Sequence, residues 1–288
     1  MIDPAFLDEL DRYGNRERRA RSRRRGEHRE EEVGEGLTFA DYRRYSPGDE
    51  PRFIDWNLYA RTDELYVKQF EAERSHTVHV LVDASASMAF DDRAKFEYAA
   101  KLGLGFASLT AREYNDFQFS VFGGPAGGPG RVERLDRGRS TRGEVLALVD
   151  RCNEIDPAGE ADLEAALSGY VGRISSKALV VVCSDFLGEI DRIEAGLDAL
   201  SANQLVLGHV VHPDERDLPG RGDTVFEALE RDTSTRTHVG RRVADEYGER
   251  FEEHAAAVEA VGERLHARHE RLPTDADTFD AFGELWRV

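Results

Sequence analysis

A chain of 288 residues, 40% hydrophobic and 33% charged, has apolar material for a sizeable core, held in one large domain or two smaller ones. Its formal net charge of -18 argues against nucleic acid as the main partner, because a phosphate backbone is bound through cations that neutralise it. Two cysteines (Cys152 and Cys183) give no disulfide framework, no apolar run approaches a membrane span, and Met1-Ile2-Asp3-Pro4 opens no signal peptide. The expected setting is therefore a reducing cytoplasm.

Lysine occurs only as Lys68, Lys95, Lys101 and Lys177, whereas Arg, Asp and Glu are plentiful. This composition resembles the acidic, lysine-poor surface of proteins from extreme halophiles, where salt screens self-repulsion. An ordinary acidic protein from a GC-rich genome would share the preference for Arg over Lys. The halophile is the working expectation.

Phe6, Leu7, Leu10 and Tyr13 fall at helical spacing and are followed by the arginine run Arg16 to Arg25, so residues 1–25 read as a helical, Arg-rich segment. Such a run is usually a solvated helix face. Residues 26–75 read as a small β-containing segment. Leu37 to Arg43 suggests a short strand, Ser46-Pro47-Gly48-Asp49 a turn, and Leu65 to Phe70 alternates as a half-buried strand does. Arg52, Asp55 and Arg61 read as a packed ion-pair network beside Trp56, with Trp56 a buried anchor.

Residues 76–288 carry the main alternation of strands and helices. Val78 to Val82 is a short β-branched run of the kind buried on both faces of a sheet. It stops at Asp83, and a helix follows from about Lys95 to Glu113. A strand at Phe117 to Phe122, a Gly-rich loop and an edge strand at Arg131 to Leu135 come next. Helices are expected at 140–153, 162–174 and 189–202, with apolar strands at Ala178 to Cys183 and Leu205 to Val211. A polar hairpin at 223–240 and one long amphipathic helix from Val243 to Glu270 close the chain. This order predicts an α/β fold: a mostly parallel sheet with helices on both faces, preceded by the small β segment.

In open α/β sheets ligands bind beyond the carboxyl ends of the strands. Asp83, Ser85 and Ser87 alternate at such an end, where one carboxylate and two hydroxyls can converge as hard oxygen ligands for Mg²⁺ or a similar divalent ion. Enzyme signatures are missing: there is no phosphate-binding Gly-x-x-x-x-Gly-Lys-Ser/Thr and no Gly-x-Ser-x-Gly elbow. Ser85 stands where phosphoryl-accepting aspartates of the haloacid dehalogenase type have a second Asp two residues on. His266 and His269 read as a solvated pair on the last helix, and His209 and His212 as lying on opposite sides of a continuing strand.

Asp83-x-Ser85-x-Ser87 after a buried strand resembles the first loop of the metal-ion-dependent adhesion site of von Willebrand factor A domains. Gly48, Asp49, Arg52, Ile54, Asp55, Trp56, Ala60 and Arg61, with Phe39 to Pro47 before them and Leu65 to Lys68 after, are similar to the signature of a prokaryotic family. It is the domain-of-unknown-function family numbered fifty-eight, whose members carry a von Willebrand A-like domain.

The resemblance implies a site completed by Asp185 from a third loop and by a second loop at Gly159-Glu160-Ala161-Asp162-Leu163. Ala161 stands where the second loop usually has Thr, so Asp162 or water would take that place and divalent binding would be weak. The implied metal residues are Asp83, Ser85, Ser87, Asp185 and Asp162. The implied function is a noncatalytic protein-interaction module whose partner is a MoxR-type AAA+ ATPase, acting in assembly or maturation of protein complexes. The alternative is a metal-dependent hydrolase using Asp83 and Asp185.

Overall fold

Apolar side chains on both faces of Val78–Asp83 allow only a central position in a sheet covered on each side, and that is where this strand lies. The structure, a computed structural model, describes residues 1–10, 12, 37–46, 54–62, 64–72, 77–112, 115–124, 130–139, 142–216, 222–228, 233–239 and 241–286. The chain forms two compact units: residues 1–18 together with 76–288, and residues 19–75. The arginine run from Arg16 to Arg25, and the motif residues Gly48, Asp49 and Arg52, lie outside the described residues.

In the smaller unit β1 (Leu37–Arg44) pairs antiparallel with β2 (Tyr66–Ala72), with a bulge between Phe39 and Asp41. A short helix, α1 (Trp56–Thr62), precedes β2, and Ile54 bridges to Val67. Asp55 caps α1, its Oδ1 accepting from the Leu58 N–H at 2.9 Å. Arg61 is exposed, and Arg52, the third member of the expected ion-pair network, lies outside the described residues. Trp56 is no buried anchor. Ile54 and Val67 are the apolar residues that go inside, while the Trp56 ring is 59% exposed and meets Tyr59 edge-on at 6.2 Å. Trp56→Ala is accordingly expected to shift stability by less than about 0.5 kcal/mol. A loss of about 3–5 kcal/mol in thermal unfolding, the usual cost of emptying a buried aromatic site, would contradict this placement.

The larger unit is built on β3 (Val78–Asp83), β4 (Asp116–Phe122), β5 (Val132–Arg139), β6 (Leu179–Ser184), β7 (Gln204–Val211) and, after a hairpin, β10 (Arg268–Pro273). Their order across the sheet is β10-β7-β6-β3-β4-β5, all parallel except β5, which returns antiparallel along β4. The hairpin strands β8 (Gly222–Ala228) and β9 (Thr233–Val239) form a separate two-stranded sheet.

Alternation along the parallel strands feeds two cores. Val80, Val82, Val181, Cys183, Val206 and Val210 face one side, where α2 (Phe90–Arg112), α3 (Arg142–Glu154) and α8 (Thr278–Trp286) pack. Leu81, Val180, Val182, Leu205 and Leu207 face the other, against α4 (Leu163–Tyr170), α5 (Ile190–Asp198) and α7 (Arg241–Arg264). Ile2, Phe6, Leu7 and Leu10 join the first core, Phe6 stacking on Phe279 at 5.3 Å. Cys152 and Cys183 are free and buried. No helix among the described residues is long and apolar enough to cross a membrane.

The C-terminal stretch departs most from expectation. The long helix ends at Arg264, where His266 takes a left-handed conformation (φ 54) and Ala267 N–H reaches back to the Gly262 carbonyl at 2.9 Å. That is a Schellman-type stop with His where Gly is usual. His266 therefore sits in a turn and His269 on β10, so the two do not share a helix face. β10 adds a sixth strand beside β7, and α8 follows it.

Candidate functional site

The carboxyl ends of β3, β6 and β7 lie side by side in the sheet, and the loops leaving them bring together a cluster of buried polar groups. Asp83 ends β3. Its Oδ1 accepts from Ser85 N–H at 2.9 Å, and its Oδ2 accepts from the Ser184 hydroxyl, at the end of β6, at 2.6 Å. The hydroxyls of Ser85 and Ser87 lie 3.0 Å apart, and Ser87 is among the groups that favour the charged form of Asp185. Phe186 N–H donates to Ser184 Oγ at 3.0 Å and Leu187 N–H to Asp185 Oδ1 at 3.2 Å, so the third loop folds back on its own side chains.

Backbone bonds lock the second loop against the first: Ala158 N–H to the Ala84 carbonyl at 3.0 Å and Ala86 N–H to the Gly159 carbonyl at 2.9 Å. Gly123 (φ 70) lets the end of β4 pass close by, since a Cβ there would stand 3.0 Å from Ser85 N.

A fully buried lysine enters the same cluster. Lys95 Nζ donates to Asp185 Oδ2 at 2.6 Å and to Glu215 Oε1 at 2.6 Å. Glu215 comes from α6 (Pro213–Arg216), directly after β7, and its other oxygen accepts from His212 N–H at 3.1 Å. The backbone before Lys95 explains its aim. Asp91, Asp92 and Arg93 are all left-handed (φ 50, 52 and 72), so the regular part of α2 starts beside Lys95 and its first turn faces the strand ends. Three consecutive non-Gly residues in that region cost conformational energy that the surrounding contacts must offset. One such contact is Asp91 Oδ2 to His212 Nε2 at 3.2 Å.

The charges sort themselves between the two aspartates. Burial raises Asp83 first and the Asp185 charge adds to it, taking its carboxyl from an ordinary 3.8 to about 7 against the pull of the Ser184 and Ser85 bonds. Burial works on Asp185 in the same direction, but the Lys95 ammonium outweighs it and holds that carboxylate below its usual range. Burial would lower Lys95, and the charges of Asp185 and Glu215 more than offset it.

A carboxyl whose folded pKa lies above its unfolded one binds its proton more tightly when folded. The stability contributed by Asp83 is therefore complete below pH 3.8 and is lost as pH rises through about 7. Asp83→Asn is expected to remove a fall of roughly 2–4 kcal/mol across that interval. Chemical denaturation between pH 4 and 8 checks this, and a pH slope identical to wild type would count against it.

Of the five metal residues expected from the sequence, Asp83, Ser85, Ser87 and Asp185 converge. Asp162 is engaged elsewhere: its Oδ1 accepts from Ala165 N–H at 3.0 Å, capping α4, and its Oδ2 pairs with Arg192 at 2.7 Å. Ala161 offers no side-chain oxygen, and the third-loop carboxylate is bound to an ammonium. As arranged, this donor set does not fit a resident divalent ion.

Ser184, Lys95 and Glu215 went unnoticed in the sequence. Lys95 had a signal, since it lies four residues before Ala99 and seven before Leu102 on the apolar face of α2, where a lysine needs a buried partner. His209, by contrast, is a buried ring held near 3 by desolvation and then by His269, facing Phe186 and His269 at 5.6 and 5.5 Å.

The strand order, the Asp-x-Ser-x-Ser loop after β3 and the aspartate after β6 define a von Willebrand A-like α/β domain. The chain belongs to the family described as "Protein of unknown function DUF58", which its residues 41–259 match. It is 26% identical over 249 residues to the uncharacterized protein Rv1480 of Mycobacterium tuberculosis, across 85% of this chain and 77% of that one. It is 40% identical over 53 residues to the uncharacterized protein YeaD of Bacillus subtilis, across 18% of this chain and 13% of that one. Among solved structures it is similar to the SpRpn10 VWA domain, with 9% identity and a TM-score of 0.41 over 72% of this chain and 93% of that one. It is also similar to BatB from Bacteroides thetaiotaomicron, with 11% identity and a TM-score of 0.41 over 73% of this chain and 96% of that one.

Proposed function

We propose that this chain is a noncatalytic protein-interaction module of the cytoplasm, docking a MoxR-type AAA+ ATPase through the loops at the carboxyl ends of its strands, in the assembly or maturation of other protein complexes. The observation that carries this reading is the closure of the polar cluster. Its hydroxyls and carboxylates bond one another and a lysine, while Leu187, two residues beyond Asp185, is 46% exposed on the same loop. A set of groups already paired favours a rigid docking surface over turnover. The choice of partner rests on the family resemblance carried by Phe39 to Lys68 and by the loop from Asp83 to Ser87.

The hydrolase alternative needs both aspartates free to hold a metal or attack a substrate, and Asp185 is held by Lys95. Affinity capture in native salt followed by mass spectrometry is expected to recover an AAA+ ATPase. Phosphatase or nucleotide hydrolysis with Mg²⁺ or Mn²⁺ that disappears in Asp83→Ala would overturn the reading in favour of the enzyme.

The acidic surface supports a halophilic setting as a companion proposal. Repulsion among exposed acids is screened within about 3 Å at 1 M salt, so the melting temperature is expected to climb from dilute to molar KCl. A melting temperature unchanged or lowered by KCl would remove the halophilic reading.

A further inference from the structure

Two aspartates and two serines at adjacent strand ends are a set of hard oxygens such as a divalent cation takes. Their charge is balanced here from within the chain. Lys95 Nζ sits 2.6 Å from Asp185 Oδ2 and 2.6 Å from Glu215 Oε1, and its side chain is wholly buried. An ammonium out of reach of water is tolerable only where carboxylates surround it. Three separate features hold it there. The left-handed run Asp91 to Arg93 starts the helix so that Lys95 points inward, α6 delivers Glu215, and His212 N–H fixes the second Glu215 oxygen at 3.1 Å.

We propose that the Lys95 ammonium is the resident cation of this loop cluster, and that it excludes Mg²⁺ and Mn²⁺ from it. A divalent ion would have to share Asp185 with a fixed positive charge, in surroundings where like charges repel far more strongly than in water. The missing hydroxyl at Ala161 is then secondary, because restoring an oxygen there leaves the ammonium in place. The inference concerns the cation alone and stands whether or not the domain docks an ATPase.

Calorimetric titration of MgCl₂ and MnCl₂ into the full chain tests it, using wild type, Ala161→Thr and Lys95→Met. Wild type and Ala161→Thr are expected to show no saturable binding at or below about 1 mM. Lys95→Met, with its ammonium gone and two carboxylates exposed to the incoming ion, is expected to bind Mn²⁺ roughly a hundredfold tighter than wild type. Its melting temperature should rise with Mn²⁺ while that of wild type stays still. Saturable binding to wild type that is lost in Asp83→Ala would overturn the proposal. So would a gain in Ala161→Thr alone, an arm that remains decisive if Lys95→Met fails to fold. A folded Lys95→Met with wild-type affinity would overturn it equally.

Discussion

Lys95→Met is expected to destabilise the larger unit by about 3–5 kcal/mol at neutral pH, the usual result of removing one partner from a buried ion pair. Methionine fills much the same volume, so the loss is electrostatic and leaves no large cavity. Asp185 and Glu215 would remain close together without the ammonium that both contact. The double variant Lys95→Met with Glu215→Gln should recover part of the loss, since one of the two orphaned charges is gone. Urea unfolding of the two variants beside wild type measures this. A midpoint for Lys95→Met equal to that of wild type would show that the triad contributes little.

Phe282→Ala is expected to cost a similar amount, about 3–5 kcal/mol, through the cavity it leaves. Phe282 is buried on the inner face of α8, edge-on to Phe106 at 5.3 Å and stacked near Trp286 at 5.7 Å. Gly105 makes the contact possible, because a Cβ at that position would stand 2.6 Å from the Phe282 ring. Gly105→Ala should therefore also destabilise, by forcing the ring away. Thermal unfolding of both variants tests whether α8 is integral to the core. Wild-type melting of Phe282→Ala would mean that it is not.

The sequence was most legible where one physical demand dominated. Val78 to Val82 is apolar but for His79 and Ala178 to Cys183 is apolar throughout, patterns that fit central strands, and their abrupt ends at Asp83 and Ser184-Asp185 located the loops of the site. The C-terminal end was hard to read because its signals are weak one by one. In β10 only Leu272 is buried along Arg268–Pro273, so no alternation marks a strand, and the helix stop uses His266 in place of glycine. Trp56 was misplaced because a large aromatic beside an aspartate and arginines suggests an anchor, whereas the chain buries Ile54 and Asp55 instead.

At the site itself, local spacing found Asp83, Ser85 and Ser87, and the end of a strand found Asp185. Glu215 comes from 120 residues beyond Lys95 and arrives only through the packing of β7 beside β6, which no local pattern contains. Asp162 looked available as an oxygen donor, but its position before Leu163 makes it the cap of α4, and the capping bond takes one of its oxygens. Lys95 was legible in principle. A cation in the register of an apolar helix face, in a chain with four lysines, calls for buried carboxylates.

On the proposed function, the loops around Asp83 and Asp185 form a docking face for the ATPase. The direct test is the affinity of the purified chain for a MoxR-type AAA+ ATPase, the proposed partner, measured beside a Leu187→Asp variant whose melting temperature matches wild type. Leu187 is exposed and plays no part in the closed cluster beyond its backbone N–H, so the substitution should spare the fold. Saturable binding is expected of wild type and at least roughly tenfold weaker binding of Leu187→Asp, as when a charge enters the core of an interface. Equal binding by both proteins, or no binding by wild type, would contradict it.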